Sequence, residues 1–345
     1  MPPGKHPPAR QLWTGTCTVQ VGGKCIVQRS PRLPRRPEPD LSHAPCRWWP
    51  ILSPCEAGAR RPAPCMEVAF KMAVVTLLNQ KGGVGKSTTT FHLGGTLAKM
   101  GRRVLLIDND PQASLTQGAL GGDAALALPG ELSLAAVYAG EPVRPEELVR
   151  PLSFPNLELL PNTEHSARFN LAEPHARPWN EQVALVEMMS VLGPRYDIVL
   201  VDCPPNLYLA TWAALAASDA LIIPVQPEDY GIQGLAAVER SINLVRATVN
   251  PRLTMLGMVV SMFGARKVLH QTYDELLRTT YGEAVFATRV PHTVDLPEAT
   301  MNHTPLPWFK PRSSTAKVLA ALAEEVLLRL AALTSCTVQA QKEVA

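Results

Sequence analysis

Ten consecutive residues, Gln80-Lys81-Gly82-Gly83-Val84-Gly85-Lys86-Ser87-Thr88-Thr89, combine three glycines, two lysines and three hydroxyls. A glycine loop of this kind can curl tightly enough to aim successive backbone N–H groups at one anion, and it carries no Cβ to keep that anion away. The closing run Gly85-Lys86-Ser87 is the end of a phosphate-binding loop, with Lys86 directed at β- and γ-phosphates and the Ser87 hydroxyl at magnesium. Lys81 adds a second cation five residues earlier, which narrows the reading to a nucleotide-switch ATPase. Lys81, Gly82, Gly83, Val84, Gly85, Lys86, Ser87 and Thr88 are therefore the expected nucleotide-binding residues, and ATP and Mg2+ the expected cofactors. A turn that only reversed the chain would not need both lysines and the hydroxyls together.

Carboxylates complete such a site, and two further stretches supply them. Arg103-Val104-Leu105-Leu106-Ile107 runs into Asp108-Asn109-Asp110-Pro111-Gln112, and Tyr196-Asp197-Ile198-Val199-Leu200-Val201 runs into Asp202-Cys203-Pro204-Pro205. Each apolar run reads as a buried strand that ends in acid. In an open α/β sheet ligands sit beyond the carboxyl ends of the strands, so Asp108, Asp110 and Asp202 should converge on the phosphate loop. Magnesium takes an octahedral shell of oxygens, mostly water, with one or two carboxylates nearby. Asp202 suits a hold on that ion through water, Asp108 a supporting position, and Asp110 the orientation of an attacking water. A lone aspartate at a strand end is more often a cap or turn former. Three beside a phosphate loop reverse that preference.

The elements needed to position these groups are legible. Ala73 to Leu78 is a short β-branched run before the loop. Ser87 to Met100 carries apolar residues at helical spacing and stops at Gly101. Strand, glycine loop and helix N-terminus together hold phosphate through aligned amides and the helix dipole. Further helices are expected over 132–138, 145–149, 179–192, 208–217, 234–249, 270–280 and 315–333, with strands over 157–161, 255–260 and 285–290. Strands alternating with helices predict an α/β fold: a doubly wound, mostly parallel sheet with helices on both faces, as in P-loop NTPases.

In order and spacing, Lys81-Gly-Gly-Val-Gly-Lys-Ser-Thr88, Asp108-Asn-Asp-Pro-Gln112 and Asp202-Cys-Pro-Pro205 resemble the deviant Walker A ATPases, and within them the ParA/Soj partitioning branch. The resemblance extends from about Met72 to about Leu333. It includes Leu221 to Pro227, Gly231 to Leu235, Val290-Pro291 and Leu296 to Ala299. It implies that Lys81 crosses an ATP-dependent homodimer interface to the partner's nucleotide, that Asp110 activates water, and that Asp202 is the Walker B carboxylate. The catalytic set is then Asp110, Lys81 and Lys86. Two ammonium groups per nucleotide would offset phosphate charge that otherwise repels across the interface. The resemblance also implies non-specific DNA binding in the ATP state, through Arg266 first and Lys267 second, and release when a ParB-like activator stimulates hydrolysis. Where the family often shows arginines after Val-Pro, this chain has His292-Thr293-Val294-Asp295, so weaker or rearranged phosphate contact is expected.

Composition divides the chain. The first 65 residues hold five of the seven cysteines, 13 of the 33 prolines and 10 basic against 3 acidic residues (net +7). The remainder, with 23 basic and 27 acidic residues, carries −4, so the overall charge gives no basic ATPase surface. Residues 1–71 read as a Pro/Arg/Cys-rich leader, disordered or an over-extended start with Met66 or Met72 the natural beginning. Residues 72–334 read as the ATPase domain and 335–345 as a C-terminal tail. The leader's cysteines lack the spacing of a zinc knuckle, and no apolar segment suits a secretory signal or a membrane span. Helix 315–333 lacks the cationic polar face of a membrane-surface helix, so no membrane partner is expected. Few cysteines beyond the leader point to a reduced, cytoplasmic setting, and the ParA/Soj resemblance implies association with the nucleoid. Two alternatives differ in class or cargo. One is a cargo- or division-positioning ATPase of the same fold that does not use DNA. A remote one is a P-loop iron–sulfur reductase, for which Cys203 and Cys336 offer no convincing pair.

Overall fold

The computed structural model describes residues 72–228 and 231–344, with no side-chain description for 231–237 and 335–344. The Pro/Arg/Cys-rich leader lies outside the described residues, as does the side chain of Cys336. The chain begins with β1 (Ala73–Leu77), α1 (Lys86–Lys99), β2 (Val104–Asp108), α2 (Ser114–Leu120), α3 (Gly122–Leu126), α4 (Leu134–Ala139) and α5 (Pro145–Leu148). It continues through β3 (Arg150–Pro151), β4 (Leu157–Leu160), α6 (Trp179–Gln182), α7 (Ala184–Leu192), β5 (Ile198–Asp202), α8 (Leu209–Ala217), β6 (Ala220–Val225) and α9 (Gly231–Thr248). Last come β7 (Thr254–Phe263), α10 (Val268–Tyr281), β8 (Val285–Pro291), α11 (Asp295–Met301), α12 (Leu306–Phe309) and α13 (Ser314–Val344).

All eight strands join one sheet in the order β3-β4-β2-β5-β1-β6-β7-β8, parallel throughout except for the short β3 edge against β4. The strands are apolar on both faces because both faces are covered. Val74, Leu105, Ile107, Val199, Val201, Leu221 and Ile223 face one core, with α7, α8 and α9 against it. Their neighbours Val75, Leu106, Leu200 and Ile222 face the other, with α1 and α13 against it. The doubly wound architecture expected from the alternation of elements is the one observed.

The register explains why the acids meet. β5 lies between β2 and β1, pairing Asp108 with Asp202 on one side and Asp202 with Leu77 on the other. The last residues of β2 and β5 thus finish level with the last residue of β1, where the phosphate loop begins. Three details stand out, the last two against the sequence expectation. β6 contains Pro224, a residue that argues against a central strand. It is accommodated because the β1 ladder ends at Leu77↔Ile222, and Asn79 Nδ2 donates to the Pro224 carbonyl at 2.7 Å. The helix expected over 179–192 is broken at Val183, the residue between α6 and α7. The final helix passes its expected end at Leu333 and continues to Val344, since no glycine or proline interrupts 314–344.

α1 is fastened to the C-terminal elements by a histidine. His92 is fully buried; its Nδ1 accepts from the Leu306 N–H at 3.1 Å, and Nε2 lies 3.1 Å from both the Leu296 carbonyl and Thr300 Oγ1. A ring with one nitrogen accepting and the other donating is neutral, and a second proton has no partner. Burial pushes the His92 pKa down from 6.5 to about 4, with the Leu296 carbonyl opposing. A folded-state value below the unfolded one stabilises the fold above pH 6.5, and this contribution is lost as pH falls toward 4. The difference corresponds to about 3 kcal/mol at 1.36 kcal/mol per unit. Urea unfolding at pH 7 and pH 5 should show this loss in the wild type, and His92→Gln should have a flatter pH dependence as well as lower stability at pH 7.

Candidate nucleotide-binding site

The loop between β1 and α1 has the geometry its glycines predict. Gly83 and Gly85 lie at φ +75° and +83°, a left-handed conformation that L side chains rarely adopt. Nothing comes within 4 Å of where a Cβ would stand on Gly82 or Gly83, so the loop keeps an open cradle in front of its backbone. Gly85 caps α1 with no side-chain hydrogen bond, which leaves the first-turn amides of a 14-residue helix available to an anion. Val84 is buried beneath the loop, and its carbonyl accepts from Ser261 Oγ at the end of β7 at 2.8 Å.

The charged groups are arranged around this cradle. Lys86 is buried, and its ammonium donates to the Lys81 carbonyl at a long 3.5 Å. Asp202 is fully buried, yet neither carboxylate oxygen has a hydrogen-bond partner. Burial pushes its pKa well above the usual carboxylate range and Asp108 adds repulsion. The Ser87 hydroxyl and the Lys86 ammonium favour the ionised form, although Ser87 does not close a well-formed hydrogen bond. An orphaned carboxylate beside a hydroxyl at a helix N-terminus fits magnesium held through water: Ser87 would ligate it and Asp202 would accept from its water shell. No cluster of three His, Cys, Asp or Glu side chains suited to a metal occurs among the described residues, so any such ion would depend on phosphate oxygens as well.

The other two aspartates have more local duties. Asp108 Oδ2 accepts from the Thr116 N–H and Oγ1, both at 2.7 Å, and Oδ1 accepts from the Asp110 N–H at 3.2 Å. These bonds tie the end of β2 to the first turn of α2 and oppose the upward push of burial on the Asp108 pKa. Asp108 therefore positions the turn that carries Asp110. Asp110 itself is buried; its Oδ1 accepts from the Gln112 N–H at 3.0 Å, and its carbonyl accepts from Asn162 Nδ2 at 3.2 Å. Oδ2 accepts no hydrogen bond from the described residues. Asn109 locks the same turn by donating to the Ala210 carbonyl at 2.7 Å and accepting from Tyr138 Oη at 2.7 Å. Cys203 is a buried core residue beside Asn109.

Lys81 stands on the rim of the cradle. Its backbone N–H donates to Asn79 Oδ1 at 3.0 Å, and its ammonium donates to Glu228 Oε2 at 2.8 Å. Lys81 holds the Glu228 carboxyl below its ordinary range. Both side chains are partly exposed, at 31 % and 48 %, so the pair is worth at most about 1 kcal/mol and can be exchanged for another partner. Glu228 was not identified from the sequence, because 147 positions separate the pair and no spacing rule connects them. Gln226, Asn79 and Ser261 share this limit. The expected DNA contacts, Arg266 and Lys267, are exposed in the turn after β7, followed by exposed Val268 and Leu269. Asp295 is not a free anion. It accepts from Lys310 Nζ and Thr315 Oγ1, each at 3.0 Å, and so fastens α11 to the start of α13.

The unpartnered, buried Asp202 carboxyl is a cost to the nucleotide-free fold. Asp202→Asn should raise the melting temperature of the nucleotide-free protein by about 2–4 °C for each kcal/mol relieved. It should also remove the further stabilisation that the wild type gains from ATP with magnesium. Thermal denaturation with and without nucleotide reads both effects.

Comparison with known proteins places this geometry. Residues 72–255 match the AAA domain family. The chain is 38 % identical over 262 residues to the chromosome-partitioning ATPase Soj of Thermus thermophilus, covering 75 % of this chain and 97 % of that protein. It is 35 % identical over 254 residues to the sporulation initiation inhibitor protein Soj of Bacillus subtilis, covering 73 % and 97 %. Among solved structures it is similar to cobyrinic acid a,c-diamide synthase of Mycobacterium smegmatis with bound ATP analogue and magnesium, with a TM-score of 0.63, 28 % identity and coverage of 74 % and 94 %. The phosphate loop, the paired strand-end acids and this similarity along nearly the whole length of its relatives agree: the chain belongs to the Soj/ParA family of chromosome-partitioning ATPases.

Proposed function

We propose that the protein binds ATP with magnesium, dimerises in the ATP state through Lys81, binds DNA non-specifically as that dimer, and releases it when a ParB-like partner stimulates hydrolysis. Residues 72–334 would form the working unit, acting in the cytoplasm on the nucleoid. The observation that carries the reading is Lys81. It is a second cation on the rim of an open cradle, held by a weak, partly exposed ion pair, and an ordinary phosphate loop has no use for it. A triphosphate presented by a second copy is a stronger anion than one carboxylate, so exchange of partners would make the dimer depend on nucleotide.

The roles follow from the geometry. The amides of Gly82 to Thr88 and the Lys86 ammonium would bind the β- and γ-phosphates and take up negative charge as the bond to the leaving oxygen breaks. Bound magnesium would neutralise phosphate charge. Asp110, with Oδ1 fixed by the Gln112 N–H, would use Oδ2 to orient a water whose oxygen bonds to the γ-phosphorus as ADP departs. Burial of Asp110 in a turn locked by Asp108, Asn109 and Asn162 keeps that carboxylate in place. Arg266 and Lys267 would meet DNA phosphates. Positioning of some cargo other than DNA is the second reading, favoured by the −4 charge of the chain beyond the leader.

Co-sedimentation with non-specific duplex DNA, across a salt series with ATP or ADP, tests the reading. Binding should require ATP and weaken steeply with salt. Arg266→Ala should lower affinity and flatten the dependence on log salt by about one unit, as loss of one phosphate contact does. Intact ATPase activity with no DNA binding in either nucleotide state would move the assignment to the second reading.

A further inference from the structure

The phosphate loop and the Arg266–Lys267 turn are joined by a short chain of contacts through the end of β7. Ser261 Oγ donates to the Val84 carbonyl at 2.8 Å. The Met262 methyl lies 3.5 Å from where a Cβ on Gly85 would stand. Gln226, just beyond β6, touches both: its Nε2 lies 3.5 Å from the Gly83 carbonyl and packs closely against Met262 Sδ. Two residues further along the same segment, Glu228 holds Lys81. The phosphate loop is thus held at the Lys81 ammonium and at the Gly83 and Val84 carbonyls by the end of β7 and the segment just beyond β6.

Met262 is also strained. Its φ is +52°, in the left-handed region that a long side chain rarely occupies. Such a conformation persists only where its surroundings hold it, and it gives the backbone an alternative to relax into. Beyond Met262 the chain is tightly built. Arg289 lies over the Phe263 ring at 5.5 Å, the Phe263 carbonyl accepts from the His292 N–H, and the Gly264 N–H donates to His270 Nδ1 at 3.0 Å. The Lys267 N–H then closes the turn onto the Gly264 carbonyl at 2.9 Å. A displacement at Met262 reaches Arg266 through a compact turn, with no slack segment in between.

We propose that Gln226 and Met262 form a positioning relay that couples the state of the phosphate loop to the conformation of the Gly264–Lys267 turn. Phosphate in the cradle would draw on the Gly83 backbone, loosen the Gln226 bridge and let the strained Met262 shift the turn that carries Arg266. The proposal rests on the reading that this turn meets DNA, but the coupling itself can be read without DNA.

The experiment is amide hydrogen exchange of residues 264–267 in the full chain, with saturating ATP analogue and magnesium and without nucleotide. Exchange in the wild type should change by at least about fivefold, the lower end of ordinary inter-site coupling. In Gln226→Ala and in Met262→Gly, which relieves the left-handed strain, each saturated with nucleotide, the difference should vanish. A merely structural role would alter exchange equally in both states and keep the nucleotide-dependent difference. An unchanged wild-type turn, or variants that retain its full response, would overturn the proposal. DNA co-sedimentation run in parallel separates the two ideas: a turn that responds to nucleotide in a protein that never binds DNA supports the relay and removes the DNA reading.

Discussion

A buried carboxylate with no partner is the constraint around which the rest of this structure is arranged. Asp202 sits at the end of a central strand, fully buried, with both oxygens unsatisfied. Such a group is among the costliest features a core can hold, and nearby charges relieve it only in part. Lys86 and Ser87 favour its ionised form, while burial and Asp108 oppose it. Deep apolar packing on both sheet faces supplies the surplus stability that allows it to persist. The same packing brings the carboxyl ends of β1, β2 and β5 level, so that the cost falls where a bound cation and phosphate would remove it.

The surrounding side chains divide into those that meet a ligand and those that keep the first group still. Asp108 spends its oxygens on Thr116 and on the Asp110 backbone, and Asn109 reaches α8 and Tyr138. Neither is free to reach far, and both make the turn around Asp110 rigid. Lys81 is the exception. Its partner Glu228 is half exposed, and the pair lies at the rim of the cradle rather than in the core. Rigid carboxylates below and an exchangeable lysine above suit a switch whose chemistry is fixed and whose partner is not.

Much of this was legible in the sequence because its signals are local. Lys81 to Thr88 is contiguous, and the left-handed angles at Gly83 and Gly85 are what those glycines anticipate. Asp108, Asp110 and Asp202 each end an apolar run, and parallel pairing brings the ends of those runs together. Most of the strands and helices were readable from period and length, but β3, β6, α11 and α12 were not. What escaped depends on long-range contact. Glu228 meets Lys81 across 147 positions, and Gln226 meets Gly83 across 143. β6, with Pro224 inside it, was not among the expected strands; that proline lies beyond the end of the β1 ladder while remaining paired with β7. Asp295 was read as an anion in place of a phosphate-binding cation, but Lys310, just past α12, and Thr315 of α13 already bond to it. A residue type reveals its charge, and only the fold reveals what already balances that charge.

The central claim is that Lys81 changes partner, leaving Glu228 for the triphosphate of a second copy. Sedimentation velocity with ATP and magnesium, with ADP and without nucleotide, on the wild type, Lys81→Ala and Asp110→Ala, tests it most directly. The account predicts a dimer only with ATP, a longer-lived one in Asp110→Ala, and a monomer under every condition in Lys81→Ala. A Lys81→Ala protein that still dimerised with ATP, or a wild type monomeric in all three states, would contradict it.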